Sequence, residues 1–260
     1  MPFSSSVGCQ AEHGLSKVQL QEPSNTQQVH PLWRLAFRAG FLGAGIYAVL
    51  AMGRWLYWML EPAQWDYQLY PAWWHAHEMV FGFAMPVVAG ILLTAVANWT
   101  GLPGTRGWRL QVLFGLWLAA RLVLWLWPQD LVLAWLAEML FLFLLAFELT
   151  RRVWAVRQWR NMLFPPVLLA LALFSSATYL KVDDAQASRT LHYAAVWMIT
   201  VFIVIIGGRV TPLFTGNRLG RKIPPLPAAF EYLVIGVTAA VGLVSALPGP
   251  ARQPRRPPRG

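Results

Sequence analysis

Residues 74–101 read WHAHEMVFGFAMPVVAGILLTAVANWTG. From Met79 to Ala97 the stretch holds no charged side chain, and about 20 apolar residues are what an α-helix needs to cross a bilayer. Read alone, this is a membrane-spanning helix. Its leading edge is unusual. His75, His77, Glu78 and Met79 place four side chains with metal-ligand atoms where the apolar run begins.

The rest of the chain repeats the pattern. The 260 residues are 57% hydrophobic and only 12% charged, about half the charged share of an ordinary soluble domain. Seven apolar runs are predicted to be helices: Ala39 to Leu60, His75 to Trp99, Trp108 to Trp127, Leu131 to Thr150, Met162 to Leu180, Thr190 to Phe214 and Ala228 to Leu247. The fold expected is all-α, a polytopic transmembrane helix bundle of about seven helices. Fifteen tryptophans suit a chain with two membrane interfaces, where amphipathic rings collect. A polar tail over 1–30, expected to be disordered, precedes the helical domain at 31–247, and a Pro/Arg-rich tail over 248–260 follows it. No signal-peptide core occurs in the first thirty residues.

The net charge of +10 does not indicate nucleic acid, because the basic residues sit in the gaps between apolar runs. Thirteen fall on one side: Lys17, Arg34, Arg38, Arg106, Arg109, Arg151, Arg152, Arg157, Arg160, Arg209, Arg218, Arg221 and Lys222. Only Lys181 and Arg189 fall on the other. Short cytoplasmic loops collect Lys and Arg, so the N-terminus is expected inside and the protein multi-pass. The last stretch, PGPARQPRRPPRG, puts four arginines on the side that should have few. The expectation drawn is that the natural chain continues with further helices and that this end derives from a frameshift. The single cysteine, Cys9, excludes an intrachain disulfide and a CxxC metal site. No P-loop, dinucleotide fingerprint, HExxH or GxSxG motif is present.

Ionisable groups inside membrane helices are costly and mark candidate sites. Arg121 and Glu138 lie at similar distances from the short gap that joins helices three and four. With a rise of about 1.5 Å per residue they reach similar depth, so an intramembrane ion pair is expected. It is either a structural pair that fixes helix packing or part of a proton or ligand path. His75, His77 and His192 lie near the starts of helices that run in the same direction, and so at one membrane level. On a helix, positions 75 and 77 point about 200° apart, whereas His75, Glu78 and Met79 share a face. One histidine of the pair is then available to one metal and the other to a second centre or a neighbouring helix, with His192 opposing. Neutral imidazole suits haem iron and copper. The alternative is interfacial histidines bonded to headgroups, water or backbone. Near the end of helix six, Gly207 and Gly208 loosen the helix, Pro212 is expected to kink or end it, and Arg209 lies at the opposite membrane face from the histidines.

With these residues in place, four segments resemble the NnrS family: HPLWRLAFRAGFLGAG at 30–45, the stretch at 74–101, WTGLPGTRGW at 99–108 and GGRVTPLFTGN at 207–217. The resemblance runs over roughly residues 30–245. It implies a bacterial inner (cytoplasmic) membrane protein that contains haem b and copper and acts in the response to nitric oxide, in nitrosative stress or linked to denitrification. By the same resemblance His75, His77 and Glu78 match the family's HxHE motif, His192 matches a later histidine, and Arg209 and Pro212 match its GR-x-x-P segment. The metal residues so implied are His75, His77 and His192, with Glu78, Met79 and Arg209 in support. The family pattern does not divide the two metals between the histidines, and catalysis is left open. Nitric oxide or a related small ligand and the lipid bilayer are the partners implied, with no nucleic acid. A cofactor-free transporter or export component with a polar intramembrane path is the rival reading.

Overall fold

The computed structural model describes residues 29–62, 69, 71–221 and 228–246. Most of the polar tail at 1–30, including Cys9, and the Pro/Arg-rich tail at 248–260 lie outside the described residues.

Among the described residues there are seven long helices: α1 (Ala36–Leu60), α2 (Pro71–Thr100), α3 (Trp108–Leu126), α4 (Leu131–Ala155), α5 (Phe164–Leu180), α6 (Ala185–Leu219) and α7 (Ala228–Ala246). No strand occurs among the described residues. Six of the helices are long and apolar enough to cross a membrane; in α7 the apolar stretch is the shorter Tyr232–Gly242. The protein is a multi-pass membrane protein by length and composition. Large apolar side chains such as Leu42, Val49, Leu60, Leu140, Phe147 and Leu173 stand exposed on the bundle's outside, where hydrocarbon is their natural solvent.

Helix boundaries follow local chemistry. Asp130 caps α4 by accepting from the Leu133 N–H at 3.0 Å, and Asp184 caps α6 by accepting from Ala187 at 2.9 Å. Carboxylate caps satisfy N–H groups that the first turn leaves open. The Asp184 cap explains why α6 begins at Ala185 rather than at Thr190. Gly101 at φ 67° and Gly220 at φ 63° end α2 and α6 in the left-handed conformation, which costs glycine little. Pro212 does not end helix six: α6 runs through it to Leu219. One missing N–H is tolerated inside a long membrane helix, and the left-handed glycine supplies the stop instead.

α2 is the centre of the bundle. Its most apolar window is 61% buried, against 33% for α1. α1 crosses it at glycines: a Cβ on Gly40 would meet Gly90 Cα at 2.9 Å and collide with the Pro86 carbonyl. Small residues let membrane helices approach this closely. Between its two halves α2 passes through a π-helical segment, Glu78–Ala84, closed by a Met85 N–H to Val80 C=O bond. Such segments are rare and recur at functional sites. The Trp117 indole N–H donates to the Gly82 carbonyl at 3.1 Å.

Candidate functional site

The π-helical segment begins where the metal-ligand motif ends, and two adjacent side chains leave α2 there in different directions. Glu78 is fully buried toward α1 and α3; His77 is fully buried toward α4, α5 and α6. A buried carboxylate in a membrane helix needs partners. Glu78 accepts from Arg121 Nη1 at 3.1 Å and from the Tyr47 hydroxyl of α1, which in turn accepts from the Trp125 indole N–H at 3.0 Å.

Arg121 also pairs with Glu138 of α4, so one guanidinium lies between two carboxylates from two helices. The structure thus brings Arg121 and Glu138 together, and adds Glu78 as a second anion. Glu138 accepts further from Ser175 of α5 and lies 3.0 Å from His77 Nε2. Tyr47, Glu78, Arg121, Glu138, His77 and Ser175 therefore form one buried network across five helices. The guanidinium Nε of Arg121 has no hydrogen-bond partner among the described residues.

His77 is held on all sides. Its ring stacks on Trp73 at 4.6 Å between centroids, with an interplanar angle of 6°, and touches Phe81 and Tyr179 at 4.8 and 4.9 Å. Its Nδ1 faces Thr178 Oγ1 at 3.4 Å. That hydroxyl donates to the Ser175 carbonyl at 2.7 Å, so its proton is committed elsewhere. With a proton on Nε2 directed at Glu138, Nδ1 carries the ring's lone pair and faces that hydroxyl.

His192 approaches from α6, its ring 5.8 Å from that of His77 and nearly perpendicular at 89°. The Ser188 carbonyl takes the Nδ1 proton at 2.8 Å, and Nε2 is buried with no hydrogen-bond partner among the described residues. The Tyr179 hydroxyl beside His77 is likewise buried with no hydrogen-bond partner among the described residues. Unsatisfied buried polar atoms are few in native structures and call for an explanation. Here two of them gather at one aromatic-walled spot between α2, α5 and α6.

His75 lies apart. It faces α1, stacked on Trp55 at 4.3 Å, with Nδ1 buried and without a hydrogen-bond partner among the described residues. The opposition of His75 and His77 follows from their spacing on a helix. No three His, Cys, Asp or Glu side chains form a metal-ion set among the described residues. Met79 packs, half-buried, against the core. Arg209 lies in α6, seventeen residues and several turns from His192, and its side chain is outside the described residues.

Sequence reading alone did not single out Tyr47, Ser175, Thr178 or Tyr179, because hydroxyl groups in apolar helices carry no distinctive spacing. A second polar cluster also went unmarked. At the far end of the bundle Glu148 accepts from Thr105 at 2.8 Å, Arg151 at 2.7 Å and Arg152 at 2.5 Å, and Arg152 Nε donates to the Pro103 carbonyl at 3.1 Å. These bonds pin the loop between α2 and α3 to α4.

A family model described as NnrS protein matches residues 31–256 of the chain. No curated protein and no solved structure matches it.

Proposed function

The chain belongs to the NnrS protein family, and from that membership we propose that it is a bacterial inner-membrane protein that binds haem between α2 and α6 and acts in the response to nitric oxide. The observation that carries the reading is the pair His77 and His192. Both are buried among aromatic rings, 5.8 Å apart; His192 Nε2 has no hydrogen-bond partner among the described residues, and His77 Nδ1 faces the Thr178 hydroxyl at 3.4 Å.

The donor chemistry fits the group. Haem brings its own four nitrogens and asks the protein for only one or two more, and histidine is a common supplier. Glu138 at His77 Nε2 and the Ser188 carbonyl at His192 Nδ1 hold protons on the far ring atoms. Such outer partners fix the tautomer and raise the basicity of the inward nitrogen. Trp73 and Tyr179 exclude water and hold the imidazole planes. Haem iron, when bound, supplies direct affinity for nitric oxide, a small neutral molecule that dissolves in hydrocarbon. His75 and Met79, four residues along on the α1 side, offer an imidazole and a thioether, soft donors suited to copper.

The test is a reduced-minus-oxidised optical spectrum of the purified protein beside His77→Ala and His192→Ala variants. A haem band present in the parent and lost or shifted in both variants supports the assignment. A parent-like band in the double variant overturns it. A folded, monodisperse and colourless parent directs the reading to a cofactor-free transporter, with the Tyr47–Glu78–Arg121–Glu138 network as its polar path.

A further inference from the structure

The Gly82 carbonyl lies inside α2, yet it accepts a hydrogen bond from another helix. Pro86 stands four residues on and has no N–H, so the donor that an α-helical turn would offer Gly82 does not exist. Gly82 is buried, and a buried carbonyl without a donor is strongly unfavourable in a bilayer unless a neighbouring helix supplies one. Trp117 of α3 does so: its indole N–H donates to the Gly82 carbonyl at 3.1 Å, and its ring is itself buried.

The bond falls at a crowded point of the π-helical segment Glu78–Ala84. A Cβ on Gly82 would collide with the Tyr47 ring and the Glu78 carboxylate. The Trp117 ring packs edge-on against Tyr47, with 5.8 Å between centroids and an interplanar angle of 79°. Two neighbours therefore hold the segment. Tyr47 of α1 holds it through the Glu78 side chain, and Trp117 through a main-chain atom. The second contact acts on the backbone, and so on every side chain that leaves it.

Two of those side chains matter most. Glu78 leaves α2 here for Arg121, and His77, directly before the segment, leaves it for Glu138. We infer that Trp117 is a positioning residue for both: its N–H, at the carbonyl that Pro86 leaves free, holds the π-helical turn from which the two side chains reach their separate partners. The inference deepens the functional reading above and rests on it only for what His77 does once placed.

The test reads His77 directly. The full chain is labelled with isotopic histidine, purified in detergent and followed by NMR. A His77 Nε2–H directed at the Glu138 carboxylate is expected as a downfield ring-proton signal, identified by its loss in His77→Gln. Trp117→Phe keeps an aromatic ring and removes the donor; it should lower the Tm and shift or abolish that signal. Thr105→Val removes a hydroxyl bond to Glu148 at the far end of the bundle. It should lower the Tm and leave the signal in place. Pro86→Ala supplies the missing N–H. Added to Trp117→Phe, it should recover Tm without restoring the parent signal, because the new bond satisfies the carbonyl in α-helical geometry.

A signal unchanged in Trp117→Phe, or shifted equally in Thr105→Val, overturns the proposal, as does joint recovery of Tm and signal in the double variant. If Trp117→Phe does not purify as monodisperse protein, the double variant carries the comparison, and a parent signal there overturns it. The signal comes from the histidine and not from a haem band, so a colourless parent counts against the functional reading alone.

Discussion

His77 Nε2 lies 3.0 Å from a carboxylate oxygen of Glu138, and both side chains are buried. The contact joins two kinds of structure: the ring cluster of Trp73, His77, Tyr179 and His192, and the carboxylate–guanidinium network between α1, α3 and α4. Glu138 serves both, because it also pairs with Arg121 and accepts from Ser175.

Removing Glu138 should therefore destabilise the bundle and disturb His77 together. Breaking a buried ion pair from one side typically costs about 3–5 kcal/mol. Glu138→Ala is expected to lower the Tm in detergent sharply, and Glu138→Gln to do so less, since the amide oxygen still accepts. A Tm equal to that of the parent in Glu138→Ala would show that the network carries no stability.

Tyr47 holds Glu78 from the α1 side and takes the Trp125 indole proton at 3.0 Å. Tyr47→Phe leaves one donor without an acceptor and one carboxylate with fewer donors, at a cost of about 1–3 kcal/mol. In a double-mutant cycle with Trp125→Phe the two losses should be less than additive, because they share a bond. Strict additivity would mean that the hydroxyl and the indole act independently.

The glycines of α1 divide into two classes. A Cβ on Gly40 meets the backbone of α2, whereas one on Gly45 meets nothing within 4 Å. Gly40→Ala should destabilise by about 1–3 kcal/mol through overpacking. Gly45→Ala should be neutral or gain up to about 1 kcal/mol from helix propensity. Thermal unfolding of the two variants side by side checks this; equal effects would place the close crossing elsewhere.

The three histidines should separate in spectra. His75→Ala, on the α1 side, is expected to leave a haem band in place, while His77→Ala and His192→Ala each abolish or shift it. Loss of the band in His75→Ala with retention in the other two would exchange the roles of the two helix faces.

Much of this architecture was legible in the sequence. Apolar length marked all seven helices, while the exact ends, set by the Asp130 and Asp184 caps and the left-handed Gly101 and Gly220, were not read from it. The proximity of Arg121 and Glu138 was legible because only a few residues separate their helices, and equal distance from a tight connection means equal depth. The π-helical segment was not legible, since no residue pattern distinguishes it from an α-helix of the same composition. Nor was the second carboxylate on Arg121. Glu78 belongs to the histidine motif by spacing, and only the packing of α1 and α3 against α2 turns it toward the guanidinium. Helix six was expected to reach Phe214, with Pro212 kinking or ending it; it continues to Leu219, because a proline signals a stop where water competes for the freed carbonyl, and that competition is weak inside a bundle.

The π-helical turn at Glu78–Ala84 gives α2 two phases. The glycine end that packs against α1 and the histidine end that faces α6 are out of step with an uninterrupted α-helix. Were these seven residues to wind as an ordinary α-helix, one end would rotate by about 100° relative to the other. The winding of this stretch is therefore under a constraint separate from its composition. A regular helix of the same residues would keep every chemical group of the site and still point His77 away from Glu138.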